Sequence, residues 1–137
     1  MKAIKIDPKQ QSVQAIELRG KNDDERLQDM HRIIGCDTLG FQTVSREHDV
    51  LYVDDGGLKR GEPIHGFLLP VQKEPYAGIA IIIGADRNGK TRSASSQLLH
   101  SIRSDIVWLG LIRPEVVWDG EGGHMRAIVT YSKVKQS

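Results

Sequence analysis

The sequence predicts a single α+β domain, a mostly antiparallel sheet with one well-defined helix over about residues 22–34 and a second, short helix over about 95–103. Polar and apolar residues alternate with a period of two in several stretches, as they do in half-buried strands. One stretch changes to helical spacing and carries residues typical of helix ends. The chain of 137 residues has the length of one domain, and no repeat or linker divides it.

The first third of the chain is predicted to form a hairpin followed by the main helix. Residues 2–6 and 13–18 alternate as strands do, and residues 7–10 contain the Asp-Pro pair of a turn. Asn22 is a suitable N-cap, Glu25 stands at capping-box spacing, and Gly35 can end the helix.

The middle of the chain returns to strand periodicity. Residues 38–44 and 49–53 are predicted to pair, and residues 79–83 form a run of apolar residues that indicates a strand buried on both faces. Between them, residues 58–75 are interrupted by glycines and prolines, which predicts a long irregular surface loop.

The last third contains less regular signals. The segment 106–111 either continues the second helix or forms a strand, and its β-branched residues favour a strand. Pro114 is expected to interrupt the chain there, and residues 115–118 and 125–131 are predicted to form a hairpin around a glycine-rich turn.

Composition restricts the classes of function. The formal net charge of +1 argues against a dominant polyanion-binding surface. The lone Cys36 cannot form an internal disulfide, and the apolar runs are too short to cross a bilayer. The first residues lack the apolar stretch of a signal peptide. A cytoplasmic protein with no membrane partner is therefore expected.

One literal nucleotide-binding motif is present. Residues 84–91, Gly-Ala-Asp-Arg-Asn-Gly-Lys-Thr, match the phosphate-loop pattern G-x-x-x-x-G-K-[ST] and follow an apolar strand. On this alternative, Gly84, Gly89, Lys90 and Thr91 would hold a nucleotide. Too few residues follow Thr91 for the several strand–helix crossovers of such a fold, and Asp86 would repel phosphate. The pair Asn88-Gly89 instead favours a tight hairpin turn.

No catalytic set, metal site or resident cofactor is predicted. The five histidines lack the spacing of a metal-binding helix, and the single cysteine cannot supply a zinc knuckle. The predicted ligand-binding residues lie in the long loop and the neighbouring turn: Lys59, Arg60, His65, Arg87, Lys90 and Arg92. Arg87, Lys90 and Arg92 also support a further alternative, a nucleic-acid-binding module.

Three segments resemble one family. Residues 1–8 (Met-Lys-Ala-Ile-Lys-Ile-Asp-Pro), 51–58 (Leu-Tyr-Val-Asp-Asp-Gly-Gly-Leu) and 78–84 (Gly-Ile-Ala-Ile-Ile-Ile-Gly) are similar to a group of small bacterial proteins of unknown function, many of them encoded by phages and plasmids. The resemblance covers residues 1–85 and implies a mobile-element accessory protein, with no catalytic residue to carry over.

The sequence thus favours a non-enzymatic accessory or regulatory protein. We expect it to bind a protein partner or a small ligand through the loop 58–75 and the adjacent turns, because loops of this kind carry binding residues. Exposed strand edges in a small sheet also make a homodimer an open alternative.

Overall fold

Strands dominate the chain, with two helices among them. The structure, a computed structural model, describes residues 1–45, 47–56, 62–69, 75–120, 123 and 126–134, and within these residues it contains ten strands and two helices. In chain order they are β1 (Lys2–Asp7), β2 (Ser12–Glu17), α1 (Asp23–Ile34), β3 (Leu39–Thr43), β4 (Val50–Asp54), β5 (Ile64–Leu68), β6 (Tyr76–Ala77), β7 (Ala80–Ala85), β8 (Thr91–Arg92), α2 (Ser96–Asp105), β9 (Val107–Asp119) and β10 (Arg126–Lys133).

The strands form two antiparallel sheets. The first sheet has the order β2-β1-β7-β4-β3, with β8 paired to the end of β7. The second sheet has the order β10-β9-β5-β6. Every described pairing is antiparallel, so the predicted α+β class with a mostly antiparallel sheet is confirmed. The strands divide between two sheets, however, where the sequence indicated one.

Strand β7 lies at the centre of the first sheet and is buried along its whole length. Ile81 and Ile83 pack into a cluster on the face covered by α1, whereas Ala80 and Ile82 belong to a larger cluster on the opposite face. Successive strand residues point to opposite faces, so a strand covered on both sides must be apolar throughout. This is the arrangement predicted for residues 79–83.

Helix α1 begins and ends at the residues that the sequence indicated. The side chain of Asn22 accepts a hydrogen bond from the Glu25 N–H at 2.8 Å. The Glu25 carboxylate in turn accepts from the Lys21 N–H, one residue before the cap. Gly35 has a φ of 77°, a left-handed conformation that suits glycine. Its N–H donates to the His31 carbonyl and ends the last turn of the helix. The helix then packs on the first sheet through Met30.

The second sheet and α2 cover the other face of the first sheet. Phe67 of β5 is fully buried there, stacked on Tyr76 with ring centroids 5.5 Å apart and edge-on to Trp108 at 6.4 Å. Helix α2, capped by the Ser95 side chain, contributes Ile102 to the same cluster. The predicted second helix, 95–103, is thus present with a slightly later end.

The prediction that residues 58–75 are irregular is wrong for its centre, because residues 64–68 form β5. Gly66, which the sequence suggests as a loop residue, pairs with Gly110, and a Cβ on Gly66 would lie 2.6 Å from Ile112 Cδ1. Glycine is therefore needed here for close packing rather than for a turn. Residues 57–61 and 70–74 lie outside the described residues.

Pro114 does not interrupt the chain, contrary to expectation. Strand β9 continues through it, so that the segment 106–111 and the first strand of the predicted terminal hairpin are one element. The Val134 N–H donates to the Leu111 carbonyl, and this register points the nitrogen of Pro114 away from β10. The partner on that side, β5, has its last pair at Ile64–Ile112, so the missing N–H breaks no bond.

Within the described part of the chain, neither helix has the length and hydrophobicity that a membrane crossing requires.

Candidate functional site

The phosphate-loop-like segment forms a hairpin between β7 and β8. Ala85 pairs with Thr91, the Asp86 N–H donates to the Lys90 carbonyl at 2.8 Å, and the Gly89 N–H donates to the Asp86 carbonyl at 3.0 Å. Gly89 has a φ of 80°, the conformation for which glycine is preferred. The prediction that Asn88-Gly89 reverses the chain is confirmed.

The amides of this hairpin are engaged by its own aspartate. The Asp86 carboxylate accepts the N–H of Asn88 at 2.8 Å and the N–H of Lys90 at 2.9 Å. In a phosphate loop such backbone N–H groups point at phosphate oxygens, and a helix follows directly. Here strand β8 follows instead of a helix. The Asp86 carboxylate accepts the N–H groups that a bound phosphate would need.

The hydroxyl of the motif also has an internal partner. Thr91 Oγ1 donates to Asp23 Oδ1 at 2.7 Å, across 68 residues of sequence. Asp23 is the first residue of α1 and is also paired with Arg26 at 2.9 Å. The β7–β8 hairpin is thereby joined to the N-terminus of α1.

A cavity of about 240 Å³ opens at this junction. Its floor is apolar and contains Met30 and Ile83. The charged residues Asp23, Asp24 and Arg26 lie at its rim. The remaining lining residues are Leu27, Tyr52 and Thr91. In the described part of the chain, the Nε atom of Arg26 is buried without a hydrogen-bond partner.

The electrostatics of the cavity follow from these contacts. Hydrogen bonds from Thr91 and then Arg26 lower the pKa of Asp23 below its usual value. Burial, and secondarily the negative charge of Asp23, raises the pKa of Tyr52. At neutral pH the site therefore presents a neutral phenol beside an ionised carboxylate.

The structure brings together only some of the predicted ligand-binding residues. Arg87 and Lys90 are exposed on the hairpin turn, and Arg92 lies in β8 with its Nη2 3.4 Å from the Glu47 carbonyl. His65 is half-buried in β5, in the other sheet. Two further predicted residues, Lys59 and Arg60, lie outside the described residues.

The glycines of the motif are used in packing and turning the chain. A Cβ on Gly84 would lie 2.7 Å from Arg92 Cγ, so the close approach of β8 to β7 depends on glycine at this position. Gly89 makes the positive-φ corner described above.

A larger groove, of about 480 Å³, lies between the first hairpin and the start of α2. Its lining includes the aliphatic residues Ile4, Ala15 and Leu99, and Lys2 and Glu17 also border it. Among the described residues, no group of three or more His, Cys, Asp or Glu side chains is placed to hold a metal ion.

The most exposed large apolar side chains among the described residues lie on β3 and β9. Phe41, 76% exposed, stands on β3 at the edge of the first sheet. Trp118 and Val117, 64% and 46% exposed, stand on the part of β9 that extends beyond β5. We call residues 113–119 and 126–132 the terminal ribbon. Sequence reasoning identified these strands but not their exposure, which depends on where β5 ends.

Comparison with known proteins gives a family but no characterised relative. No curated protein and no solved structure is significantly similar to the chain. A family model described as a domain of unknown function, DUF3846, matches residues 1–106. The matched region contains the whole first sheet, both helices and strands β5 and β6, and it stops just before β9. The chain therefore belongs to the DUF3846 family of domains of unknown function.

Proposed function

We propose that this protein is a non-enzymatic accessory protein that binds a protein partner through the terminal ribbon. The observation that carries the proposal is the exposure of Trp118 and Val117 on neighbouring positions of β9. Tryptophan is among the residues most enriched at the energetic centres of protein interfaces. Exposed apolar groups of this size are costly in water unless a partner covers them.

The construction of the ribbon supports this role. Among the described strands, β9 pairs only with β10 beyond the pair Ile64–Ile112. Neighbouring strand residues point to opposite faces, so Val117 and Trp118 present apolar surface on both faces of the ribbon. A two-stranded ribbon has little stability of its own in water, and a partner that covers both faces would stabilise it.

The position of the ribbon in the chain also favours partner binding. The family match ends at residue 106, and the ribbon belongs to the region that follows. We infer that the ribbon supplies the partner-binding surface of this family member, while the matched region supplies most of the folded domain that carries it. A cytoplasmic role in a phage or plasmid system is part of the proposal, and it rests on the resemblance of residues 1–85 and on the single cysteine.

Affinity capture from the native host with matched variants tests the proposal. Trp118→Ala is the test variant, and Glu115→Ala, which changes an exposed side chain on the same ribbon, is the control. Truncating a central interface tryptophan typically costs about 2 kcal/mol or more, or roughly 30-fold in affinity. At least one captured protein should be lost with Trp118→Ala and kept with Glu115→Ala. Equal recovery with both variants, or no captured protein with the wild type, contradicts the proposal.

Ligand binding by the turn 84–91 and its basic residues is a second candidate, favoured by the letter-for-letter motif match. It requires the Asp86 carboxylate to release the amides of Asn88 and Lys90. Thermal unfolding with ATP and GTP, with and without magnesium, tests it. Ligand at a hundredfold its dissociation constant stabilises by about 2.7 kcal/mol. A rise in the unfolding temperature with nucleotide that is lost in Lys90→Ala would support nucleotide binding.

Nucleic-acid binding by Arg87, Lys90 and Arg92 is a further prediction. Because phosphate contacts release counterions, such binding falls steeply with salt. A gel-shift assay at low salt that shows no complex would exclude it.

A further inference from the structure

The outer edge of β3 carries backbone groups that have no strand partner in the described part of the chain. β3 ends the order of the first sheet. The Asp55 N–H donates to the Thr38 carbonyl, and the Val44 N–H donates to the Asp49 carbonyl. With the register of β3 and β4, these bonds direct the amide and carbonyl groups of Gly40 and Gln42 toward β4. The groups of Leu39, Phe41 and Thr43 therefore face outward.

Among the described strands, the other open edges are short or protected, and the part of β9 beyond β5 carries Pro114 between the charged residues Arg113 and Glu115. At β2, the Arg103 side chain of α2 donates to the Val13 carbonyl at 2.8 Å and so occupies the edge. The edge strand β6 is only two residues long, and β10 carries the exposed Lys133. Charges, short length and side-chain cover are the devices that keep edge strands from pairing.

In the part of the chain that the structure describes, β3 has none of these protections. Its sequence, Leu-Gly-Phe-Gln-Thr, contains neither a charge nor a proline. Its central residue, Phe41, is the most exposed large apolar residue in the described part of the chain, and its ring lies 6.2 Å from that of Tyr52. An uncharged edge with an exposed aromatic at its centre is suited to strand addition.

We propose that β3 pairs with β3 of a second copy of this chain, antiparallel about a twofold axis at Phe41. In this register Phe41 faces its own symmetry mate and Leu39 faces Thr43, each pair exchanging two N–H···O bonds. The two first sheets become one continuous sheet. The Phe41 rings lie side by side on the face that carries α1, since Leu39 and Tyr52 pack on that face.

A second copy fits this edge for two reasons. The strand is neutral, so self-pairing places no like charges opposite one another within 39–43. The pairing also closes, because a twofold dimer uses the β3 edge of both copies and leaves no β3 edge for further growth. A strand of a different protein would cover the β3 edge only while that protein is bound. The free protein would then keep an open β3 edge and be prone to association.

Sedimentation of the full chain tests the proposal through charge complementation. The wild type, of 15.3 kDa per chain, should sediment as a dimer at micromolar concentration. Phe41→Lys and Phe41→Glu should each sediment as monomers, because each places like charges together at the axis. An equimolar mixture of the two variants should restore the dimer, since lysine then faces glutamate. This rescue separates a lost interface from a lost fold.

Trp118→Ala is the matched control, because it removes an exposed aromatic from the terminal ribbon and should leave the dimer intact. A monomeric wild type at high micromolar concentration would overturn the proposal. Dimers that persist in both single variants would overturn it as well, and failure of the mixture to dimerise would overturn the Phe41-centred register. The outcome is independent of whether the ribbon binds a partner.

Discussion

Asp29 is a buried charge that joins α1 to the segment before it. Its carboxylate accepts the Arg19 N–H at 2.8 Å and is paired with Arg32 one turn along the helix. Burial alone would raise the pKa of Asp29, but the hydrogen bonds from Arg19 and Arg32 outweigh it and hold the pKa below its usual value of 3.8. The side chain is therefore ionised at neutral pH and holds α1 to the segment before it.

Replacement of Asp29 should lower stability and change its dependence on pH. Asp29→Asn should cost about 1–3 kcal/mol at neutral pH, because charge-assisted hydrogen bonds are lost in a buried position. The folded pKa is lowered, so this stabilisation is present above pH 3.8 and is lost as the pH falls through the folded pKa. Denaturant unfolding from pH 7 to 2.5 measures both effects.

The variant should lose less stability than the wild type as acid is added. Asp24→Asn, at an exposed position of the same helix, is the control and should change stability at pH 7 by less than about 0.5 kcal/mol. If the free energy of unfolding falls equally with pH in the wild type and in Asp29→Asn, Asp29 does not carry the predicted effect.

Tyr52 reports on the cavity beside α1. Its pKa is raised, first by burial and second by the negative charge of Asp23. Asp23→Asn should therefore lower the pKa of Tyr52 toward its usual value without restoring it fully. Titration of phenolate absorbance on a chain in which the other tyrosines, Tyr76 and Tyr131, are replaced by phenylalanine measures this. An unchanged pKa would mean that Asp23 does not face the phenol.

At the scale of elements, local patterns predicted most of the fold. Asn22, Gly35 and the acidic first turn define α1 because capping and φ preferences are local properties. The sequence does not predict β5, because the evidence for it is non-local: a Cβ on Gly66 would meet Ile112, on a strand more than forty residues later, and the Tyr76 carbonyl on β6. Pro114 in β9 is likewise tolerated only because β5 ends before it reaches that position.

The candidate sites were harder to predict than the elements. The hairpin turn at Asn88-Gly89 follows from local chemistry, so the sequence predicts it and the structure contains it. The contact between Thr91 and Asp23 spans 68 residues, and no local pattern indicates it. Exposure of Trp118 depends on which strands continue alongside β9, so the sequence alone shows an ordinary strand residue.

The N-cap of α1 should contribute measurably to stability. Asn22→Ala removes the side-chain oxygen that accepts the Glu25 N–H, and we expect a loss of about 1 kcal/mol. Asn88→Ala, in the β7–β8 turn, is the control, because there the backbone N–H and not the side chain makes the hydrogen bond. Chemical denaturation gives both values. Equal losses from the two substitutions would refute the assigned cap.

At the scale of the whole molecule, the two sheets share one core. Phe67 and Tyr76 of the second sheet pack in the same cluster as Ile82 of β7 and Ile102 of α2. Strand β9 completes the second sheet by pairing with β5, although it lies beyond the residues matched by the family. Stability of the matched region is therefore expected to depend on the region that follows it.

This dependence predicts cooperative unfolding. Ile112→Ala, at a fully buried position of β9, should cost about 2–5 kcal/mol and lower the midpoint of one transition that includes the first sheet. Val117→Ala, at an exposed position of the same strand, should change stability by less than about 0.5 kcal/mol. Hydrogen exchange at β1 and β7 shows whether the first sheet responds. If Ile112→Ala leaves exchange there unchanged, the sheets are independent units.

Site-specific photo-cross-linking tests the central claim, that the terminal ribbon holds a protein partner, most directly. A photoreactive amino acid is placed at position 118 of the full chain, and at position 10, an exposed residue of the β1–β2 turn, as the control. On irradiation in the native host, position 118 should give a discrete, light-dependent adduct with a second protein, and position 10 should not. The absence of an adduct at position 118, or the same adduct at both positions, would contradict the claim.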